Sequence, residues 1–152
     1  MTEKEILMQV RNLSVMYKTR LGEVSAVDNV SFDIHKGEIL GLVGESGCGK
    51  STMGKALMRM IQPPGKITSG QIIVDGEDIM TYDQKQMRDF RGRKVSMIFQ
   101  NPMSTLNPTM RVGQQVVRAL LARGGTTRGA ATDQAIALLR RCGVPGADNV
   151  MR

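Results

Sequence analysis

Gly44-Glu45-Ser46-Gly47-Cys48-Gly49-Lys50-Ser51 is the stretch on which the reading of this chain turns. It fits Gly-x-x-x-x-Gly-Lys-Ser/Thr at every fixed position. A mostly apolar run (residues 38–43) leads into it and a helical pattern from residue 50 to about 61 leads out, the context that such a loop requires. Glycines at 44, 47 and 49 let the backbone turn tightly and approach a ligand with no Cβ in the way. Successive N–H groups then form a concave nest for an anion, and the helix start adds its own free N–H groups and dipole. Lys50 supplies a point charge for β- and γ-phosphates, and Ser51 a hydroxyl for Mg²⁺. The motif points to a nucleoside-triphosphate site. It does not choose among kinases, GTPases, motor ATPases and transporter ATPases.

Outward from the loop, the pattern predicts an α/β chain. Upstream, residues 6–10 read as a short strand, and Val30, Phe32 and Ile34 alternate with polar residues as in a half-buried strand. Residues 38–43, bounded by glycines, read as a buried parallel strand. Downstream, Gln62-Pro63-Pro64-Gly65 ends the helix, and residues 71–74 followed by Asp75-Gly76 read as strand and turn. A short polar helix near 83–91 precedes an apolar strand, 94–99, that ends at Gln100. Apolar positions 112, 116, 117, 120 and 121 mark one helix face, and 135, 138, 139 and 142 another, stopped by Gly143. Cys142 is expected in the core of that second helix, and His35 in a surface turn.

Composition narrows the partners. The formal net charge is +7, unevenly spread: residues 1–100 carry 14 basic and 12 acidic side chains, residues 101–152 carry 7 and 2. The late arginines stand singly among apolar residues, as on a solvated helix face, and no aromatic residues interleave them to make a platform for single-stranded nucleic acid. Two cysteines, Cys48 and Cys142, give neither a metal-ligand spacing nor a disulfide framework, which fits a reducing compartment. The N-terminus is charged, and no apolar run nears the roughly 20 residues needed to span a bilayer. A cytoplasmic chain, soluble or peripheral to a membrane, is expected.

Three further segments give the loop a family context. Residues 43–52, closing with Ser51-Thr52, resemble the Walker A motif of the ATP-binding subunits of ABC transporters. Leu13-Ser14-Val15-Met16-Tyr17 resembles that family's adenine-stacking segment, and Met97-Ile98-Phe99-Gln100 the strand that ends in its Q-loop glutamine. Gln100-Asn101-Pro102-Met103-Ser104-Thr105-Leu106-Asn107-Pro108 is similar to the Q-loop of the dipeptide, oligopeptide and nickel importers. Residues 26–32 and Arg91-Gly92-Arg93 point the same way.

The resemblance implies a P-loop NTPase fold and a partial ABC nucleotide-binding domain over 1–152. Residues 1–100 would be part of the ATP-binding core, and 101–152 the Q-loop and the start of the helical subdomain. It implies ATP and Mg²⁺ as ligands. Gly44, Glu45, Ser46, Gly47, Cys48, Gly49, Lys50, Ser51 and Thr52 would hold the phosphates, Tyr17 the adenine, and Ser51 with Gln100 the metal, Lys50 and Gln100 serving catalysis. It implies membrane-spanning permease subunits and a second ATP-binding subunit as partners, no nucleic acid, and a place at the cytoplasmic face of the inner membrane. Met103, Leu106 and Met110 are then either contacts to the membrane partner or ordinary core. The family's signature loop, Walker B carboxylates and switch histidine lie later than residue 152, and His35 precedes the P-loop. The expectation is therefore the N-terminal half of a peptide-importer ATPase, binding ATP weakly and not turning it over. The alternatives are a truncated, non-hydrolysing nucleotide binder and, further off, a small kinase or a repair-type ATPase.

Overall fold

The computed structural model describes residues 5–101 and 105–151. They divide into two compact units, Met1–Met87 and Arg88–Arg152.

The first unit is built on an antiparallel sheet. Strands β1 (Ile6–Thr19) and β2 (Gly22–His35) form a long hairpin; β3 (Gly65–Val74) pairs with the other edge of β1, and the short β4 (Glu77–Asp78) with β3. β1 is far longer than the apolar run at 6–10 that announces it. The reason is a bulge. Met8 and Val10 face the core, then Leu13 and Val15 do, so period-2 alternation breaks at Arg11-Asn12 and resumes one residue later. Asn12 and its neighbour in β2, Asn29, both take φ of 49°. The Asn12 amide donates to Oδ1 of Asn29 at 2.8 Å, and the hydroxyls of Ser31 and Ser14 accept the two backbone N–H groups that leave the ladder. On β3 the same level carries Gly70 (φ +100°), where a Cβ would stand 2.5 Å from the Cα of Leu13. Three strands therefore bend together, and the bend keeps Val10, Leu13, Val15 and Ile72 fully buried on one face.

Helix α1 (Lys50–Leu57) buries Met53 and Ala56. It ends before Ile61, the expected limit, because Arg59 turns left-handed (φ 47°). The Arg59 guanidinium then donates to the carbonyls of Ile79, in a 3₁₀ turn (Ile79–Thr81), and of Tyr82. Helix α2 (Gln84–Asp89) follows, with Met87 buried.

The second unit opens with a π-type turn (Phe90–Lys94) and closes with three helices, α3 (Val112–Ala122), α4 (Arg128–Arg141) and α5 (Ala147–Val150). Both helices form where the periodicity placed them, and α3 buries Val117 and Leu120 of its expected face, but of the expected α4 face only Ala135 is buried and Leu138 is exposed. The Thr127 hydroxyl caps α4 by accepting from the Ala130 N–H. Ala131 and Ala135 pack against Val117 and Leu120, small against large. Cys142, expected inside, is exposed at the end of α4. The turn of α5 was not foreseen; Arg140 holds it through both carboxylate oxygens of Asp148.

The runs 38–43 and 94–99 depart most from expectation. Neither joins a ladder among the described residues beyond Lys94, which ends the π turn, and their large side chains are bare: Ile39 is 98% exposed, Val43 93% and Ile98 95%. A parallel strand is stabilised by neighbours on both sides and by cover on both faces. The described sheet is wholly antiparallel and offers these runs neither.

Candidate phosphate-binding site

The extended run 38–43 delivers the chain to the loop, and the loop delivers it to α1. Gly47 and Gly49 take φ of +83° and +96°. Gly49 also lies against β2: a Cβ there would stand 2.1 Å from the carbonyl oxygen of Ala26. Glycine is required at 49 for two independent reasons, conformation and space. A Cβ on Gly44 would meet the Cys48 sulfur at 2.6 Å, so the two ends of the loop are closely apposed.

The Lys50 side chain folds back over the loop. Its ammonium donates to the carbonyl of Gly44 at 2.7 Å and to that of Glu45, and lies 3.5 Å from the Cys48 sulfur. The cation is thereby held at the mouth of the loop. Gly49 caps α1 with no side-chain hydrogen bond, so no side chain competes for the first-turn N–H groups. An uncapped helix start, two left-handed glycines and a cation in one place suit a phosphate chain. The Ser51 hydroxyl is exposed on the first turn and Thr52 is half-buried behind it. Ser51 alone offers one oxygen ligand, which suits Mg²⁺, an ion that keeps several waters and takes phosphate oxygens. Among the described residues no cluster of His, Cys, Asp and Glu forms a metal site of its own.

Beside the loop lies a cavity of about 230 Å³, lined by Ala26, Val27, Asp28, Val30, Leu42, Val43, Cys48, Gly49, Lys50 and Met53. The sequence gives residues 26–32 only a family likeness. That they abut the loop shows only in the fold, because β2 brings them there.

Of the other candidate residues, Tyr17 belongs to the first unit, and Gln100, Leu106 and Met110 to the second. The half-buried Tyr17 ring packs on Gly65 across the β1–β3 pair, where a Cβ would lie 2.5 Å from Cε1, and Tyr17 does not line the cavity. Gln100 is exposed in the second unit. Leu106 is exposed and Met110 half-buried, in a loop that the Gln115 side chain clamps through the backbone of Asn107 and Met110. Met103 lies outside the described residues.

Comparison with known proteins bears on the family and the fold. The family model described as ABC transporter matches residues 27–152. The oligopeptide transport ATP-binding protein OppD of Bacillus subtilis is 42% identical over 91% of this chain and 39% of its own length. The dipeptide transport ATP-binding protein DppD of Lactococcus lactis is 39% identical over 97% of this chain and 42% of its own. The chain thus spans about two-fifths of the length of these curated relatives. A dimeric bacterial ABC transporter cassette superposes with a TM-score of 0.77 at 24% identity, covering 90% of this chain and 57% of that one, which shows a shared fold. A second structure of that cassette, with the same scores, is described as a post-hydrolysis state bound to ADP and phosphate.

Proposed function

Because this chain belongs to the ABC transporter family, we propose that it is the phosphate-binding portion of the ATP-binding subunit of a peptide importer. The observation that carries the reading is the loop itself: left-handed Gly47 and Gly49, an uncapped α1 and the Lys50 ammonium folded over the loop carbonyls. The names of the relatives, oligopeptide and dipeptide transport ATP-binding proteins, support the substrate class.

In this account the N–H groups of residues 44–52 wrap the phosphates of ATP. Lys50 leaves the Gly44 and Glu45 carbonyls for the β- and γ-phosphate oxygens, exchanging two neutral acceptors for charged ones. The Ser51 hydroxyl is the chain's own ligand for Mg²⁺, which neutralises phosphate charge when bound. Tyr17 stacks on adenine, and Gln100 senses the metal and the attacking water. In the longer protein, permease subunits and a second ATP-binding subunit complete the transporter at the cytoplasmic face of the membrane, with Leu106 and Met110 toward the permease.

Phosphoryl transfer depends on positioning and on carboxylates that hold metal and water. The family resemblance places these outside residues 1–152. The exposure of Ile39, Val43 and Ile98 favours the second reading for this chain alone, a nucleotide binder that does not hydrolyse. Equilibrium dialysis with labelled ATP, with and without Lys50→Ala, tests the proposal. Losing one charge-assisted contact, worth about 1.5–3 kcal/mol, weakens binding roughly 10- to 100-fold. Equal affinity of the two proteins refutes the assignment of Lys50, and phosphate release by the chain alone refutes the non-hydrolysing reading.

A further inference from the structure

The cavity beside the phosphate loop has a wall that a triphosphate does not account for. Ala26, Val27, Asp28 and Val30 form one side of it. In a regular strand successive residues face opposite sides of the sheet, so Val27 and Asp28 would part. Here the ladder is broken. Leu13 stands opposite Val30 and Val15 opposite Val27, which leaves Ser14 alone to face both Asp28 and Asn29. Bulges beside functional sites re-aim a residue in this way. The Ser14 hydroxyl fixes the bulge by accepting from the Asn29 N–H at 3.0 Å. The same segment carries the Ala26 carbonyl against which Gly49 lies, so Asp28 is set two residues from the seat of the loop. Asp28 is exposed, and its carboxylate has no hydrogen bond or ion pair among the described residues. Lys50 lines the same cavity, yet its ammonium turns to the carbonyls of Gly44 and Glu45. A carboxylate beside an anion site repels the ligand unless the ligand brings donors to it. The phosphates of ATP bring none; its ribose brings two hydroxyls.

We infer that Asp28 reads the sugar of the bound nucleotide, its carboxylate accepting from the 2′- and 3′-hydroxyls of ribose. The inference rests on the proposed seating of the ATP phosphates on residues 44–52 and adds a specificity-determining residue to it. The cavity shares Cys48, Gly49 and Lys50 with the loop, so the group that follows the phosphates enters it. A carboxylate serves ribose hydroxyls in the same way in dinucleotide-binding folds. Its hydrogen bonds are of the stronger, charge-assisted kind. Ser51, the loop's hydroxyl for Mg²⁺, does not line the cavity, which favours the sugar over the metal as the partner of Asp28.

Equilibrium dialysis of the whole chain with labelled ATP and Mg²⁺ tests this, with unlabelled ATP and 2′,3′-dideoxy-ATP as competitors. Both competitors carry the same base and triphosphate, so only the sugar hydroxyls distinguish them. ATP is expected to compete at a concentration about tenfold lower or better, the effect of one hydrogen bond to a charged acceptor. Asp28→Ala is expected to erase that difference by weakening ATP. Asp28→Asn, which keeps an acceptor oxygen, retains part of it, and circular dichroism verifies the fold of both variants. Equal competition by the two nucleotides in the parent would overturn the inference and leave the assignment of the phosphate loop standing. So would an undiminished preference for ATP in Asp28→Ala, whether both competitors weaken alike, as for a metal ligand, or neither moves. A parent that binds no ATP strikes the phosphate-loop reading first, and the ribose contact with it.

Discussion

Gly49→Ala isolates what the geometry of the phosphate loop contributes. In the structure an added Cβ stands 2.1 Å from the Ala26 carbonyl oxygen, against an ordinary contact of 3.4 Å or more. Loop and strand must therefore part by about 1.3 Å. Both sides of the clash are backbone, so no flexible side chain can absorb it. A donor displaced that far from a phosphate oxygen leaves the 2.7–3.2 Å window of a hydrogen bond, by the ordinary limits of such bonds. Losing two charge-assisted bonds at about 1.5–3 kcal/mol each weakens nucleotide binding roughly 100- to 10,000-fold. Gly47→Ala is the internal control. Its φ is also left-handed, at +83°, but an added Cβ there meets nothing within 4 Å. It carries only conformational strain of about 1–2 kcal/mol, a loss of roughly tenfold. Titration of both variants with a fluorescent ATP analogue, alongside thermal melts, separates clash from strain. Equal losses at 47 and 49, or full binding by Gly49→Ala, would refute the argument that the loop is seated on Ala26.

Three other outcomes follow from the same structure. Gly70→Ala combines left-handed strain with a 2.5 Å approach to the Leu13 backbone, so chemical denaturation should show a loss of about 2–4 kcal/mol; a loss under about 1 kcal/mol would contradict the three-strand bend. The exposed Cys48 thiol sits inside the loop 3.5 Å from the Lys50 ammonium, so MgATP should slow its alkylation while leaving the exposed Cys142 unaffected; identical protection at both would count against a local site. The hydrogen bond from Arg11 holds the Asp33 carboxyl below its ordinary range, so this group stabilises the fold above that range and the benefit is lost as pH falls through the lowered value; urea titrations across acidic pH should show Asp33→Asn to be less acid-sensitive than the parent, and identical profiles would refute the linkage.

What the sequence revealed depended on whether a signal was local. The phosphate loop was legible because its chemistry is contiguous, and α3 and α4 because Val117, Leu120 and Ala135 fall on apolar positions at helical spacing; that Ala131 rather than Leu138 completes the core of α4 shows only in the fold. The full length of β1 was not, because the bulge at Asn12 breaks the alternation and its cause lies in Asn29 and Gly70 on other strands. The seat of Gly49 on Ala26 is a tertiary contact with no sequence signature. Residues 38–43 were legible as a strand by composition, yet their burial depends on neighbours that no pattern in the run itself can supply. Tyr17 and Gln100 were reached through resemblance. The geometry adds that Tyr17 has a firm seat on Gly65, and places Gln100 in the second unit.

The most direct test of the central claim is nuclear magnetic resonance of the backbone amides of residues 44–52 while ATP, and separately AMP, is added with Mg²⁺. The account predicts large shifts of the Gly47, Gly49, Lys50 and Ser51 amides with ATP, and much smaller ones both with AMP and with ATP at the same concentration in Lys50→Ala. Unmoved loop amides at millimolar ATP, or equal responses to AMP and ATP, would contradict the assignment of this loop as the seat of a triphosphate.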